Sequence, residues 1–231
     1  MTPLVFLPGM MCDERLFAPQ IAAFKVERCV EVRPLTASDS VEALAQDVLA
    51  AAPPRFALAG LSMGGIVAME IVRQAPERVA KLALMDTNPL AEDPERQRAR
   101  TPQIEKARAG QLMEVIRDEM KPNYLFADGP NNAQIMDLCM DMAVALGPEV
   151  FIRQSIALRD RPDQSKTLRS YKGRALVLCG AEDTLCPVSR HHMMHEMLSN
   201  SVLQVIEGAA HMPTLEQPKE TTAALARWLE E

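Results

Sequence analysis

Residues Phe56–Val67 read F-A-L-A-G-L-S-M-G-G-I-V. A short apolar run, Phe56–Ala59, ends in Gly60-Leu61-Ser62-Met63-Gly64, and an apolar helical pattern over 64–75 follows at once. This is G-x-S-x-G with a strand before it and a helix after it, the context in which the pattern carries a nucleophilic serine. The turn is tight and strains its central residue, so its neighbours must be small. Gly60 and Gly64 meet that need, and Gly65 lets helix and strand approach closely. Ser62 then stands with its hydroxyl above the sheet edge, facing the N-terminal dipole of the helix. The bland alternative is a glycine-rich turn with an incidental serine.

Working outward, Leu4–Leu7 reads as a buried strand stopped by Pro8-Gly9, and Asp13 caps a short helix through about Ala23. Arg28–Val32 is a second strand. Ser38 or Asp39 then precedes a helix to about Ala51, with Val41, Leu44, Val48 and Leu49 on one face. After the central stretch, Ala75-Pro76 stops the helix and Lys81–Met85 is another strand. Short apolar strands alternating with helices predict an α/β fold, a mostly parallel sheet covered on both faces. The alternation stops over 88–165, where amphipathic helices are expected at about 102–109, 111–121, 132–146 and 148–159, punctuated by Pro122, Asp128-Gly129-Pro130 and Gly147-Pro148. This segment reads as an inserted helical lid between core segments 1–87 and 166–231. Strands resume at Ala175–Cys179 and Val202–Ile206, with helices at about 188–198 and 214–230.

A serine nucleophile needs a base, and the base an orienting acid. Asp183 follows the strand at 175–179 and His211 follows the strand at 202–206. Strand ends converge on one edge of a parallel sheet, where such sheets bind ligands. The chain order Ser62, Asp183, His211 fits that arrangement. Glu182 and Asp86 are alternative acids, and Asp86 reads better as a loop anchor. Catalysis is expected to rise as His211 loses its proton, near neutral pH. Acyl transfer also needs donors for an oxyanion. The backbone N–H groups of Met63, which follows the nucleophile, and Met10, in the loop after the first strand, are the candidates. Met11 and Leu61 are candidates for lining the substrate pocket.

The segments L-P-G-M at 7–10, G-L-S-M-G-G at 60–65, G-A-E-D at 180–183 and G-A-A-H-M-P at 208–213 resemble the α/β-hydrolase fold family over nearly the whole chain. The resemblance implies Ser62 as nucleophile, Asp183 as acid, His211 as base, and Met10 and Met63 at the oxyanion positions. It points to small cofactor-free carboxylesterases, lactonases and carbon–carbon bond hydrolases that work through an acyl-enzyme. The chain starts at what resembles the family's third strand, so six strands are expected instead of eight. Pro8 stands where the family often has histidine, and proline has no N–H to donate. Arg33–Ser38 replaces the usual glycine-rich loop after the second strand, which predicts a more open entrance.

The remaining features narrow the field. With 231 residues the chain reads as one domain with an insertion. A formal charge of −6, from 25 basic and 31 acidic residues without a basic patch, argues against nucleic acid. Met1–Leu4 lacks a positively charged lead into an apolar run, and no stretch of about 18 apolar residues suggests a membrane span. Five scattered cysteines, among them Cys12 and Cys186 in loops near the active edge, predict free thiols in a reducing cytoplasm. His191, His192 and His195 cluster on one helix. His191 and His195 have metal-ligand spacing, but a partly exposed helix face is the ordinary reading. Phosphate-cradling glycine motifs are absent, so no nucleotide cofactor is expected. The expected protein is a monomeric or homodimeric serine hydrolase of small to medium apolar acyl esters. Lactonase, thioesterase, carbon–carbon hydrolase or perhydrolase activity on the same triad, or a non-catalytic small-molecule binder, are the alternatives.

Overall fold

A computed structural model of the chain describes residues 1–120, 122 and 124–230. Six strands, β1 (Leu4–Leu7), β2 (Val30–Val32), β3 (Phe56–Leu61), β4 (Val79–Met85), β5 (Arg174–Gly180) and β6 (Ser201–Ile206), form one sheet in the order β2-β1-β3-β4-β5-β6. Every pairing is parallel. Burial of both faces explains the continuous apolar runs, because successive side chains point to opposite sides. Val5, Leu7, Leu58, Leu84 and Val177 enter one core, under α2 (Val41–Ala51) and α3 (Met63–Gln74). Leu4, Phe6, Leu61, Met85 and Leu178 enter the other, under α1 (Ala18–Phe24) and a C-terminal helix that carries Leu225 and Trp228. There Phe6 stacks on Phe17 with ring centroids 4.5 Å apart. Each fully buried apolar side chain of this size contributes about 1.5–3 kcal/mol.

The glycines of the central turn are used for close approach. A Cβ on Gly64 would lie 2.0 Å from the Leu7 carbonyl oxygen, and one on Gly60 2.3 Å from that of Gly64. Any side chain there would push α3 off β1 and β3.

Between Met85 and Arg174 the described residues contain helices and no strand: α4 (Pro94–Arg108), α5 (Leu112–Glu114) continuing as a wider turn to Met120, α6 (Asn132–Arg159) and α7 (Ser165–Ser170). Helix α6 is broken at Gly147, whose φ of 76° and ψ of 176° separate the two expected helices. The remaining helices are α8 (Val188–Met197), α9 (Pro213–Glu216) and α10 (Pro218–Glu230). None of the helices is long and apolar enough to cross a membrane, among the described residues.

Several boundaries differ from the sequence expectation. The cap of α2 is Ser40, whose hydroxyl accepts from the Ala43 amide, whereas Ser38 donates to Asp47. Asp13 caps a single tight turn, Glu14–Phe17, before α1 begins. Helix α4 starts eight residues before the expected position and runs through Pro102. Asp93 caps it by accepting from the Glu95 and Arg96 amides, and its charged first half has no apolar periodicity to reveal it. Lys121, at the end of the expected 111–121 helix, lies outside the described residues. The expected helix 214–230 divides at Gln217, because Pro218 has no N–H with which to continue α9.

Candidate active site

Ser62, Asp183 and His211 follow the C-terminal ends of β3, β5 and β6, so parallel pairing alone brings them to one edge of the sheet. Ser62 sits at φ 54° and ψ −114°, a conformation that L-residues rarely adopt. The surroundings impose it. The Ser62 amide donates to Met85 O at 2.9 Å, and the Thr87 hydroxyl donates to Ser62 O at 2.7 Å. Gly65 leaves room for Thr87, since a Cβ on Gly65 would lie 2.6 Å from the threonine side chain.

A hydrogen-bonded chain leads away from the serine. Ser62 Oγ is 3.0 Å from His211 Nε2, and His211 Nδ1 is 2.8 Å from Asp183 Oδ2. The other oxygen of Asp183 accepts from the amides of Leu185 (2.8 Å) and Cys186 (3.0 Å). Burial alone would raise the Asp183 pKa. The charge and hydrogen bond of His211 and the two amides outweigh it and hold the pKa at about 2, against an ordinary 3.8. An ionised Asp183 only accepts, so His211 Nδ1 carries a proton and Nε2 is left to accept from the Ser62 hydroxyl. This is the geometry of a Ser-His-Asp triad, with the tautomer required to take the serine proton.

The other acids do different work. Glu182 is exposed. Asp86 is fully buried, and its Oδ1 accepts from the Gly180 amide at 2.9 Å. It pins the end of β5 beside the triad. Burial, followed by the nearby Asp183 charge, drives its pKa well up.

Two supports have no periodic signature in the sequence. Glu216, in the first turn of α9, accepts from the amides of Phe126, Ala210 and Met212 at 2.6, 3.0 and 2.9 Å and braces the loop carrying His211. The only available signal was an acid in the first turn of the helix after that loop, where it can reach free amides. Gln154, from the second half of α6, is buried; its Oε1 accepts from the Met11 amide at 2.9 Å and its Nε2 donates to Leu35 O at 2.8 Å. It ties the inserted helices to the loop after β1.

Met10 lies in that loop and lines a cavity of about 230 Å³ with Ser62, Ile66, Tyr124 and His211. Neither the Met10 nor the Met63 amide has an acceptor among the described residues, whereas the Met11 amide is taken by Gln154. Met11 and Leu61, the expected pocket residues, are buried in the two cores, and the lining of this cavity is made by other residues. A larger hollow, of about 1070 Å³, lies near the opposite strand ends by Arg55, Val79 and Lys172 and contains no triad member.

The histidines of α8 have separate partners. His191 is fully buried and accepts from the Thr87 amide at 3.1 Å through Nε2, with Nδ1 3.2 Å from Pro187 O. Burial lowers its pKa to about 4, which keeps it neutral as a brace. His195 pairs with Ser201 and His192 is exposed. The one cluster of metal-capable side chains among the described residues is Asp183, Cys186 and His211, two of which already serve the triad. Cys186 lines the cavity, and burial raises its thiol pKa well above the ordinary value. Cys12 is packed in the core with Phe17.

An uncharacterized protein of Mycobacterium bovis is 25% identical over 194 residues, 76% of this chain; the chain spans 56% of that relative's length. A pimeloyl-(acyl-carrier protein) methyl ester esterase of Aliivibrio fischeri is 27% identical over 208 residues, 83% of this chain and 76% of that protein. The malate-bound structure of a thermophilic esterase from Thermogutta terrifontis superposes with a TM-score of 0.91 at 26% identity, covering all of this chain and 90% of the other. Residues 4–225 match the sequence model described as the Alpha/beta hydrolase family, a span running from β1 into α10 that includes all three members of the triad. On that match, and on the sheet and relay it encloses, the chain belongs to the alpha/beta hydrolase family.

Proposed function

We propose that the protein is a serine carboxylic-ester hydrolase that acts through an acyl-enzyme on small to medium acyl esters with an apolar acyl stretch. The observation that carries the reading is the relay from Ser62 through His211 to Asp183, opening on a cavity. His211 takes the Ser62 proton as Oγ attacks the ester carbonyl. The amides of Met10 and Met63, both without an acceptor among the described residues, stabilise the oxyanion. The carbon–alkoxide bond then breaks and His211 passes its proton to the leaving alcohol. Water, deprotonated by His211, attacks the acyl-enzyme, and the acid and free Ser62 are released.

Ile66, Met120, Leu158 and Leu185 line the cavity and supply an apolar wall for the acyl arm. At about 230 Å³ it is smaller than the roughly 300–1,000 Å³ of sites for drug-sized ligands, which favours short acyl groups. The named esterase among its relatives supports ester chemistry over lactone, thioester or carbon–carbon cleavage on the same relay. Action as a monomer or homodimer in a reducing cytoplasm belongs to the same proposal, with Cys139, Cys179 and Cys186 buried outside any disulfide in its favour. Hydrolysis of p-nitrophenyl acetate, butyrate and octanoate tests it. Wild type is expected to turn over the shorter esters, and Ser62→Ala to lose at least about 10³-fold in kcat. Equal rates in the two proteins would overturn the assignment.

A further inference from the structure

One wall of the same cavity is cationic. Arg96, Arg100 and Arg161 line it together with Ser62 and His211. Arg100 grips Glu92 through Nε (2.9 Å) and Nη2 (2.6 Å), both on Oε2. Arg161 Nη2 approaches the other oxygen of Glu92 at 3.1 Å, and its Nε donates to Leu90 O. The side chains of Arg100, Arg161 and Glu92 are only 13%, 5% and 1% exposed. Two guanidinium groups therefore share one carboxylate with little water, leaving a surplus positive charge against the cavity. Burial and the neighbouring arginines oppose the charge on Arg161, and Glu92 favours it.

The other charges near the cavity do not cancel the surplus. Glu119 also lines it, but its carboxylate is tied to Lys106 (2.6 Å) and Gln103 (3.1 Å). Arg96, at the exposed rim, adds a further positive charge. Asp183 is spoken for by His211. Arg100 Nη1 has Met10 Sδ, 3.9 Å away, as its partner, a weak acceptor beside the proposed oxyanion loop. A guanidinium with donors to spare is suited to a planar carboxylate.

Resting on the esterase reading above, we propose that the enzyme selects monoesters of short dicarboxylic acids. The ester carbonyl is placed at Ser62 and the distal carboxylate is bound by Arg100 and Arg161. One surplus charge matches a monoanion better than a phosphate dianion. The cavity holds roughly eight water volumes, which restricts the diacid to about four to six carbons. The apolar residues then hold the methylene stretch between the two ends.

The test compares monomethyl succinate with methyl pentanoate, which has the same reach but no charge, by pH-stat hydrolysis at pH 7.5. Wild type is expected to prefer the anionic ester at least tenfold in kcat/KM, mostly through KM. That preference is expected to shrink as NaCl is raised. Glutarate is expected to compete with p-nitrophenyl acetate. Arg100→Gln is expected to raise KM for monomethyl succinate about tenfold and to reduce the preference for the anion. Arg100→Gln combined with Glu92→Gln restores one surplus charge, on Arg161, with no carboxylate beside it, and is expected to regain part of the preference that Arg100→Gln loses. Equal wild-type kcat/KM for the two esters with no glutarate inhibition overturns the inference. So does an equal loss on both esters in the variants, which marks the arginines as structural only. Ser62-dependent turnover of p-nitrophenyl acetate without the preference leaves the esterase reading standing, whereas turnover that survives Ser62→Ala removes both.

Discussion

At the scale of single residues, the site is set by which buried groups hold protons. Asp183 is ionised because amides and an imidazole surround it, whereas burial shifts Asp86, nearby at the end of β4, towards its protonated form. His191 is the clearest test of such bookkeeping. Its pKa is lowered by burial from 6.5 to about 4. A histidine depressed in the fold stabilises it fully above the unfolded pKa and loses that contribution as pH falls towards the folded value. Between pH 6.5 and 4 the loss amounts to about 3 kcal/mol. Asp86 and Glu216, whose pKa values are raised, act with the opposite sign and favour the fold at low pH. Thermal melts from pH 7 to 4 are expected to fall less steeply for His191→Gln than for wild type. Parallel slopes would show that the imidazole takes up its proton alike in the native and unfolded states. The triad was legible because each member sits in a turn next to a glycine at a strand end. Gln154 and Glu216 were not, because a long side chain reaching another element leaves no local pattern. The cationic wall was likewise hidden, since Glu92, Arg100 and Arg161 meet only after α4 and α6 have packed.

At the scale of elements, the second half of α6 acts on the site through the loop after β1. Gln154 satisfies two backbone groups at once, the Met11 amide and the Leu35 carbonyl. Gln154→Leu strands both in a buried place, at about 1–3 kcal/mol each. Denaturant unfolding is expected to show a loss of about 2–4 kcal/mol. If that loop supplies the Met10 amide to the oxyanion, kcat is expected to fall about tenfold with KM little changed. A stability loss with unchanged kcat would remove Gln154 as a positioning residue. The strands and the helices flanking them were readable from apolar runs and proline stops. Helix α4 was half missed because Glu95–Arg100 has no apolar periodicity. Its position follows from the Asp93 cap and from the Glu92–Arg100 pair, a tertiary contact.

For the whole molecule, parallel pairing puts three distant turns on one edge, and the helices between β4 and β5 build the wall above it. The six-stranded sheet was predictable from the alternation of strand and helix and from its likeness to a known family. How the inserted helices pack was not, because amphipathic faces say what is buried and not against what. The claim on which everything turns is that Ser62 is made nucleophilic by His211. The most direct measurement is the rate and site of modification by a fluorophosphonate probe, followed by peptide mass spectrometry. Wild type is predicted to carry the label on Ser62, and His211→Ala to react at least about 100-fold more slowly. Labelling elsewhere, or an unchanged rate at Ser62 without the imidazole, would contradict the account.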